Sequence, residues 1–458
     1  MKLIYNVKDK PKFGQILIFA FQQLLAIMAA TIVVPIIING NSAENFANGI
    51  GVASQMSTTA ALLGAGIGTL VYLLFTKFRS PVFLGSSFAF LGSMTAAFAG
   101  ATSMAAGYVG LILGAAMAGL VYVVIAIIIK LVGVQWINKL MPPVVIGPTV
   151  ALIGLSLAGS AVKDLSTAPA GGSKYVALVC GLVTLAVVML CSVFGKKTLK
   201  MIPFIIGILA GYLTATAFTL IGMATGNDAL LVIDFSKFAN MQWVPDFTFV
   251  TAFKGFGDIT GSYIATVAVA YIPVAFVVFA EHVADHKNLS SIIESDLLEE
   301  PGLHRTLLGD GVGSMAGAVF GGCPNTTYGE SVGCVAISGN ASIVTIFTTA
   351  VMAIVISFFA PFAAFLSTIP NCVMGGVCVA LYGFIAVSGL KMIQQVDLGD
   401  NRNLFVVSAI LIPGIGGLSI TFGKVTITTI ACALILGILA NTMLSGKKKD
   451  VESQESKN

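Results

Sequence analysis

Charged residues are scarce in this chain: Asp, Glu, Lys and Arg together make up 10% of its 458 residues, where a soluble domain carries roughly a quarter. With 57% hydrophobic residues and a mean hydropathy of +0.97, that shortage excludes a soluble globular domain and leaves a polytopic helical membrane protein. Tryptophan is almost missing, with 2 residues against 50 glycines, so helices are expected to meet through small residues rather than large aromatic contacts. The cationic excess is only +4 and lies in short clusters between apolar runs, which speaks for orientation in a bilayer and against nucleic acid as a partner. The seven cysteines sit in or beside apolar runs without metal-ligand spacing. Neither a metal nor another cofactor is expected. Nor does any serine, cysteine or metal constellation with a positioned base point to an enzyme.

What is present is a series of apolar runs. A helix needs about 20 apolar residues to cross a bilayer, and on that rule spans fall at 15–38, 51–75, 82–99, 107–132, 142–162, 174–195 and 201–223, then at 263–286, 305–322, 325–339, 341–362, 368–389, 403–418 and 425–445. The first run is too long for a signal-peptide core and reads as an uncleaved helix. Threading fourteen spans from a cytoplasmic N-terminus puts 19 of the 24 Lys and Arg residues inside, which supports the count and places both termini in the cytoplasm. The longest connection, about 224–260, falls outside, and the Lys-rich tail 446–458 falls inside.

The spans repeat. Pro142-Pro-Val-Val-Ile-Gly147 with Val150-Ala-Leu-Ile-Gly154 in span five returns as Pro370-Asn-Cys-Val-Met-Gly375 with Val379-Ala-Leu-Tyr-Gly383 in span twelve. Pro81-Val-Phe-Leu-Gly85-Ser-Ser87 in span three answers Pro324-Asn-Thr-Thr-Tyr-Gly329-Glu-Ser331 in span ten. An offset of seven spans is odd, so the halves must run in opposite senses, as an inverted repeat. Spans three and ten are too short or too polar to be ordinary crossings. Unpaired backbone at membrane depth costs several kcal/mol per group and is tolerated only beside protein or a watery cavity. The expectation is a short extended segment after each proline, the two pairing with each other, each leading into a half-helix whose N-terminal N–H groups face a central site.

Ionisable groups at membrane depth mark such sites. Glu330 lies in span ten; Glu281 ends the long apolar run that begins at Tyr263, and the two are expected to face one pocket. Asp285, four residues after Glu281, shares its helix face, although Asp285-His286-Lys287-Asn288 also reads as a cytoplasmic helix end. His282 points about 100° away and reads as packing or solvent-facing. Gly309, Gly313, Gly317 and Gly321 form a smooth packing stripe. Gly255-Phe-Gly-Asp258 matches the Gly-x-Gly-Asp of intramembrane aspartyl proteases, but it sits in an external polar segment with no second membrane aspartate before it.

At Ala280-Glu-His-Val-Ala-Asp285, Pro301-Gly-Leu-His-Arg305, Gly309-Asp-Gly311 and Pro324-Asn-Thr-Thr-Tyr-Gly-Glu330 the chain resembles the nucleobase–ascorbate transporter family, in its bacterial uracil permease branch. Gly85-Ser-Ser-Phe-Ala-Phe90 and Asn401-Arg-Asn-Leu404 fit as well. The resemblance implies a homodimeric inner-membrane protein taking up a nucleobase with a proton. It implies a core domain from 1–132 and 263–362, and a gate domain from 133–223 and 363–445, with 224–262 as the external connection. Carried over by position, substrate-binding glutamates fall on Glu281 and Glu330 and backbone contacts on Phe88 and Gly329, with Tyr328 flanking. Glu281 and Asp285 become the proton-coupling pair. Two departures stand out: the branch has a histidine where this chain has Asp285, and the residues after Glu330 include Ser331, Ser338 and Gly339 in place of the usual pattern. A xanthine or other purine permease of the same family is the second reading. An anion transporter of the related sulfate and bicarbonate group is the third; it would carry a cytoplasmic C-terminal domain and a cationic centre, and this sequence has neither.

Overall fold

The computed structural model describes residues 3–133, 142–169, 171–196, 198–239, 241, 243–422 and 425–445. The tail 446–458, and Lys2, Lys139, Lys197 and Lys424 of the charge count, lie outside the described residues.

Long apolar runs give the principal helices, with Pro35 and Pro148 inside the first and fifth: α1 (Phe13–Ala47), α2 (Thr58–Phe75), α3 (Leu91–Ala99), α4 (Met104–Val132), α5 (Pro143–Ser156), α6 (Ala158–Leu165), α7 (Lys174–Phe194) and α8 (Pro203–Thr225). The second half supplies α9 (Gly261–Ile293), α10 (Leu303–Gly321), α11 (Gly329–Ser338), α12 (Ile343–Ser357), α13 (Ala360–Thr368), α14 (Asn371–Ile393), α15 (Asn401–Ile415) and α16 (Thr429–Ser445). Among the described residues, eight helices are long and apolar enough to cross a membrane, with α5 and α6 together counted as one, or nine if the bent pair α12 and α13 also counts as one. The other expected spans are shorter or more polar: α3, α11, α15, α16 and the glycine-rich α10.

The two proline-led breaks are extended. β1 (Leu84–Ser86) and β2 (Asn325–Thr327) pair antiparallel, with Gly85 opposite Thr326. Ser87 N–H donates to Pro324 O at 2.9 Å and Tyr328 N–H to Phe83 O at 3.2 Å, lengthening the ladder at both ends. Backbone that would be unsatisfied in lipid is thereby paired inside the protein, and Thr69 Oγ1 accepts the Leu84 N–H at 2.9 Å. A 3-10 turn, Phe88–Phe90, leads from β1 into α3; β2 leads through Tyr328 into α11.

The glycine stripe of α10 packs on α2. A Cβ on Gly313 would meet Gly68 O at 2.7 Å, and one on Gly64 would meet Gly317 O at 2.5 Å. Only glycine permits this approach. Helices α1, α2, α4, α9, α10 and α12 pack together around the crossed strands, while α5 to α8 and α14 to α16 form a second group; the two meet along α1 and α9.

Two features were not expected. The helix α9 does not stop at 286 but runs to Ile293, where Leu289, Ile293 and Leu297 bury against Tyr72 and Leu73. The second is an N-terminal strap. Ile4 N–H donates to Gly339 O at 2.7 Å, Ala341 N–H to Tyr5 O at 2.9 Å and Ile343 N–H to Val7 O at 3.0 Å, so residues 4–7 run beside the segment that follows α11.

Candidate functional site

The crossed strands set the site. β1 and β2 are only three residues long, so although they run antiparallel, the turn at Phe88 and the start of α11 at Gly329 open on one cavity of about 390 Å³. Phe88, Asp285, Thr327, Tyr328, Gly329, Glu281 and Glu330 line it. All five residues expected to hold substrate, and Asp285, are thus brought together. The opposite wall is apolar, with Val150, Ile153, Phe204, Leu381, Phe384 and Ile385 from the second helix group. Lys200, Ser388 and Met392 stand at one end.

Each functional side chain has a local reason for its place. Glu330 occupies the first turn of α11, where the helix dipole favours a carboxylate. Glu281 sits about three turns before the end of α9, not near its terminus as hydropathy implies, because the polar turns that follow are buried against α2 rather than ending the helix. Asp285 is not a helix end: its Oδ2 accepts from Thr327 Oγ1 at 2.9 Å, which ties the α9 carboxylate to strand β2. Gly329 faces the cavity with its backbone open. Phe88 is half-buried and meets Tyr382 edge to face, with ring centroids 6.2 Å apart. Tyr328 is a strut more than a free ring. It is 4% exposed and its hydroxyl donates to Ser86 O at 2.8 Å, occupying the space that Gly85 leaves open; a Cβ there would lie 2.8 Å from Tyr328 Oη.

Ser331, one of the departures from the expected pattern, has a clear role. Its hydroxyl accepts from Gln23 Nε2 of α1 and, at 2.9 Å, from the Phe83 backbone N–H before β1. One small side chain therefore joins the base of α11 to α1 and to the opposite strand. Ser331→Ala leaves the buried Phe83 N–H without a partner, at about 1–3 kcal/mol. It is expected to lower the melting temperature of the purified protein and to weaken substrate binding, which a thermal-shift titration measures. Ser338 and Gly339 end α11, and the left-handed Gly339, φ 68°, presents its carbonyl to the strap.

Sequence reasoning missed the polar groups behind this wall. His282 is 0% and His286 1% exposed, and both are hydrogen-bonded into α10 and α2. Their own spacing, four residues apart on the face beside Glu281 and Asp285, was the available signal. Asp258 of the protease-like motif accepts from Ser103 Oγ at the protein surface. Among the described residues no group of three His, Cys, Asp or Glu side chains is placed to hold a metal ion.

The Permease family model matches residues 14–423. A uracil permease of Bacillus caldolyticus is 38% identical over 457 residues, covering 99% of this chain and 97% of the relative. A uracil permease of Escherichia coli (strain K12) is 34% identical over 440 residues, 94% of this chain and 92% of the relative. Among solved structures, the transmembrane domain of a cyanobacterium bicarbonate transporter, BicA, superposes with a TM-score of 0.60 at 16% identity, covering 95% of this chain and 99% of that one. At that identity the likeness concerns the fold alone. With the family model spanning most of the chain and near full-length relatives above a third identical, the chain belongs to the Permease family, in the nucleobase–ascorbate transporter group whose uracil permease motifs it carries.

Proposed function

We propose that this protein imports uracil by proton symport through alternating access. The observation that carries the reading is the convergence of Glu281, Glu330 and the starts of two half-helices, at Phe88 and Gly329, on one cavity. Uracil is flat and offers two N–H donors and two carbonyl acceptors. Carboxylates accept from the N–H groups, and helix N-termini donate to the oxygens. Glu281 is assigned the joint task of binding base and proton, Glu330 that of recognition, and Asp285, held by Thr327, that of a second proton-exchanging group.

The two helix groups are proposed as the moving bodies, core and gate, in a fourteen-crossing inverted repeat with cytoplasmic termini, assembled as a homodimer in the inner membrane. Lys200 and Met392, at the end of the cavity, lie on the side the Lys and Arg count assigns to the cytoplasm, which supports an inward-facing state. On the opposite side the Glu44–Lys163 ion pair, 2.7 Å, bridges α1 and α6 at the wall of a second cavity of about 710 Å³. The test is uptake of labelled uracil and labelled xanthine by cells lacking their own permeases, at two external pH values. Uracil uptake that rises as external pH falls is expected. Uptake indifferent to pH removes proton coupling, and preference for xanthine moves the substrate to the purines.

A further inference from the structure

Helix α9 carries two pairs of polar residues one turn apart, Glu281 with Asp285 and His282 with His286, displaced by about 100° around the axis. The first pair lines the cavity; the second is buried against α10 and α2. His282 Nδ1 lies 2.7 Å from Asp310 Oδ2, and its Nε2 lies 3.1 Å from Thr306 Oγ1, both on α10. His286 Nδ1 lies 2.8 Å from His282 O, and its Nε2 lies 2.7 Å from Tyr72 Oη of α2. Ser80 Oγ is 2.7 Å from the same tyrosine oxygen. A carbonyl only accepts, so His286 Nδ1 carries a hydrogen, and a neutral ring then takes its other hydrogen bond from Tyr72, with Ser80 donating to Tyr72 in turn. The two imidazoles stack with centroids 4.0 Å apart.

The glycines flanking Asp310 make the cluster possible. A Cβ on Gly309 would lie 3.0 Å from the Tyr72 ring, and one on Gly311 would lie 2.9 Å from Tyr122 Cβ. Strand β2 touches both faces of α9's surroundings. Successive strand residues point to opposite sides: Thr327 donates to Asp285 on the cavity side, while Thr326 stands beside Asp310 behind. One strand thus contacts α9 through Asp285 and the neighbouring α10 through Asp310.

We propose that His282 is a positioning residue for substrate binding. Clamped between Asp310 and Thr306 and extended through His286 to Tyr72 and Ser80, it fixes the rotation of α9 that presents Glu281 and Asp285 to the cavity. Binding constellations tolerate errors of only about 0.5 Å and 10–20°, so a modest turn of α9 displaces both carboxylates. The role rests on the transport reading above.

The test uses the full-length protein in membranes. His282→Leu is expected to raise the KM for uracil about tenfold, with the maximal rate per membrane copy changed less than about threefold, and His282→Asn, whose amide can still meet Asp310, to bring KM back within about threefold of wild type. Should His282→Leu fail to reach the membrane, Thr306→Val decides: a KM raised about threefold sustains the role and an unchanged KM overturns it. A second readout needs no substrate. In a Cys334→Ala background, Asp285→Cys is labelled by a water-soluble maleimide, and adding His282→Leu is expected to change the labelling rate at least about threefold. Unchanged KM together with unchanged labelling overturns the proposal, as does reduced membrane abundance with both values unaltered in what remains. A wild type that takes up no uracil ends the substrate assignment, and the labelling result then judges the positioning role by itself.

Discussion

Glu281→Gln and Glu330→Gln are each expected to reduce uracil uptake by about 10- to 100-fold at a fixed low substrate concentration, the range that corresponds to losing a hydrogen bond to a charged acceptor, about 1.5–3 kcal/mol. The amide is close in shape to the carboxyl group, so folding and membrane abundance should be preserved, and labelled uptake normalised to protein in the membrane separates function from folding. The two variants are expected to differ in kind. Glu330 stands at the start of α11 and is assigned recognition of the base, so its loss should appear as a raised KM whose pH dependence survives. Glu281 is assigned both proton and substrate, so its loss should flatten the pH dependence as well. Robust uptake by both variants would sink the two-carboxylate site.

The second large effect is expected where α10 packs on α2. Gly317 of α10 lies against Gly64 of α2 and the side chain of Asn325, whose amide donates to Gly64 O at 3.0 Å. Gly317→Val drives two methyl groups into backbone on one side and into the anchor of β2 on the other. Overpacking of this kind costs about 1–3 kcal/mol and occasionally more, and here the nearest atoms belong to the Asn325 side chain, which cannot move aside without losing its hydrogen bond to Gly64 O. The expected outcome is a strong loss of thermal stability in detergent and of uptake together. Gly14→Val is the matching control, because a Cβ at Gly14 meets nothing within 4 Å. Equal melting temperatures for Gly317→Val and the control would refute this account of the stripe.

Much of the site was legible because it interrupts a pattern. Pro81 and Pro324, with hydroxyls and a carboxylate after them, break apolar runs, and backbone at that depth needs a partner; their likeness across the two halves supplies one. The glycine stripe of α10 was legible for a similar reason, since four small residues at helical spacing serve close packing. What hydropathy cannot convey is where polar residues turn inward. His286 sits in a run that scores as the water-exposed end of a helix, yet it is buried because Tyr72 of α2 and Ser80 just beyond that helix await it, more than 200 positions earlier in the chain. Ser331 is opaque in the same way. Its worth lies in Gln23 and Phe83, which are distant in sequence and carry no periodic signal.

The pairing of β1 with β2 also sets an order of events during synthesis. The first strand is complete at Ser86 and its partner begins at Asn325, roughly 240 residues later, which at about 5–20 residues per second leaves the first strand waiting on the order of 12 to 50 seconds. The strap at residues 4–7 waits longer still, until the chain has passed Ile343. The nascent first half must therefore enter the bilayer with its extended segment unpaired by its partner strand, tied to α2 through the Thr69–Leu84 contact. The transport site is among the last things this chain assembles, so truncations even shortly after Glu330 should yield inserted helices without any binding pocket.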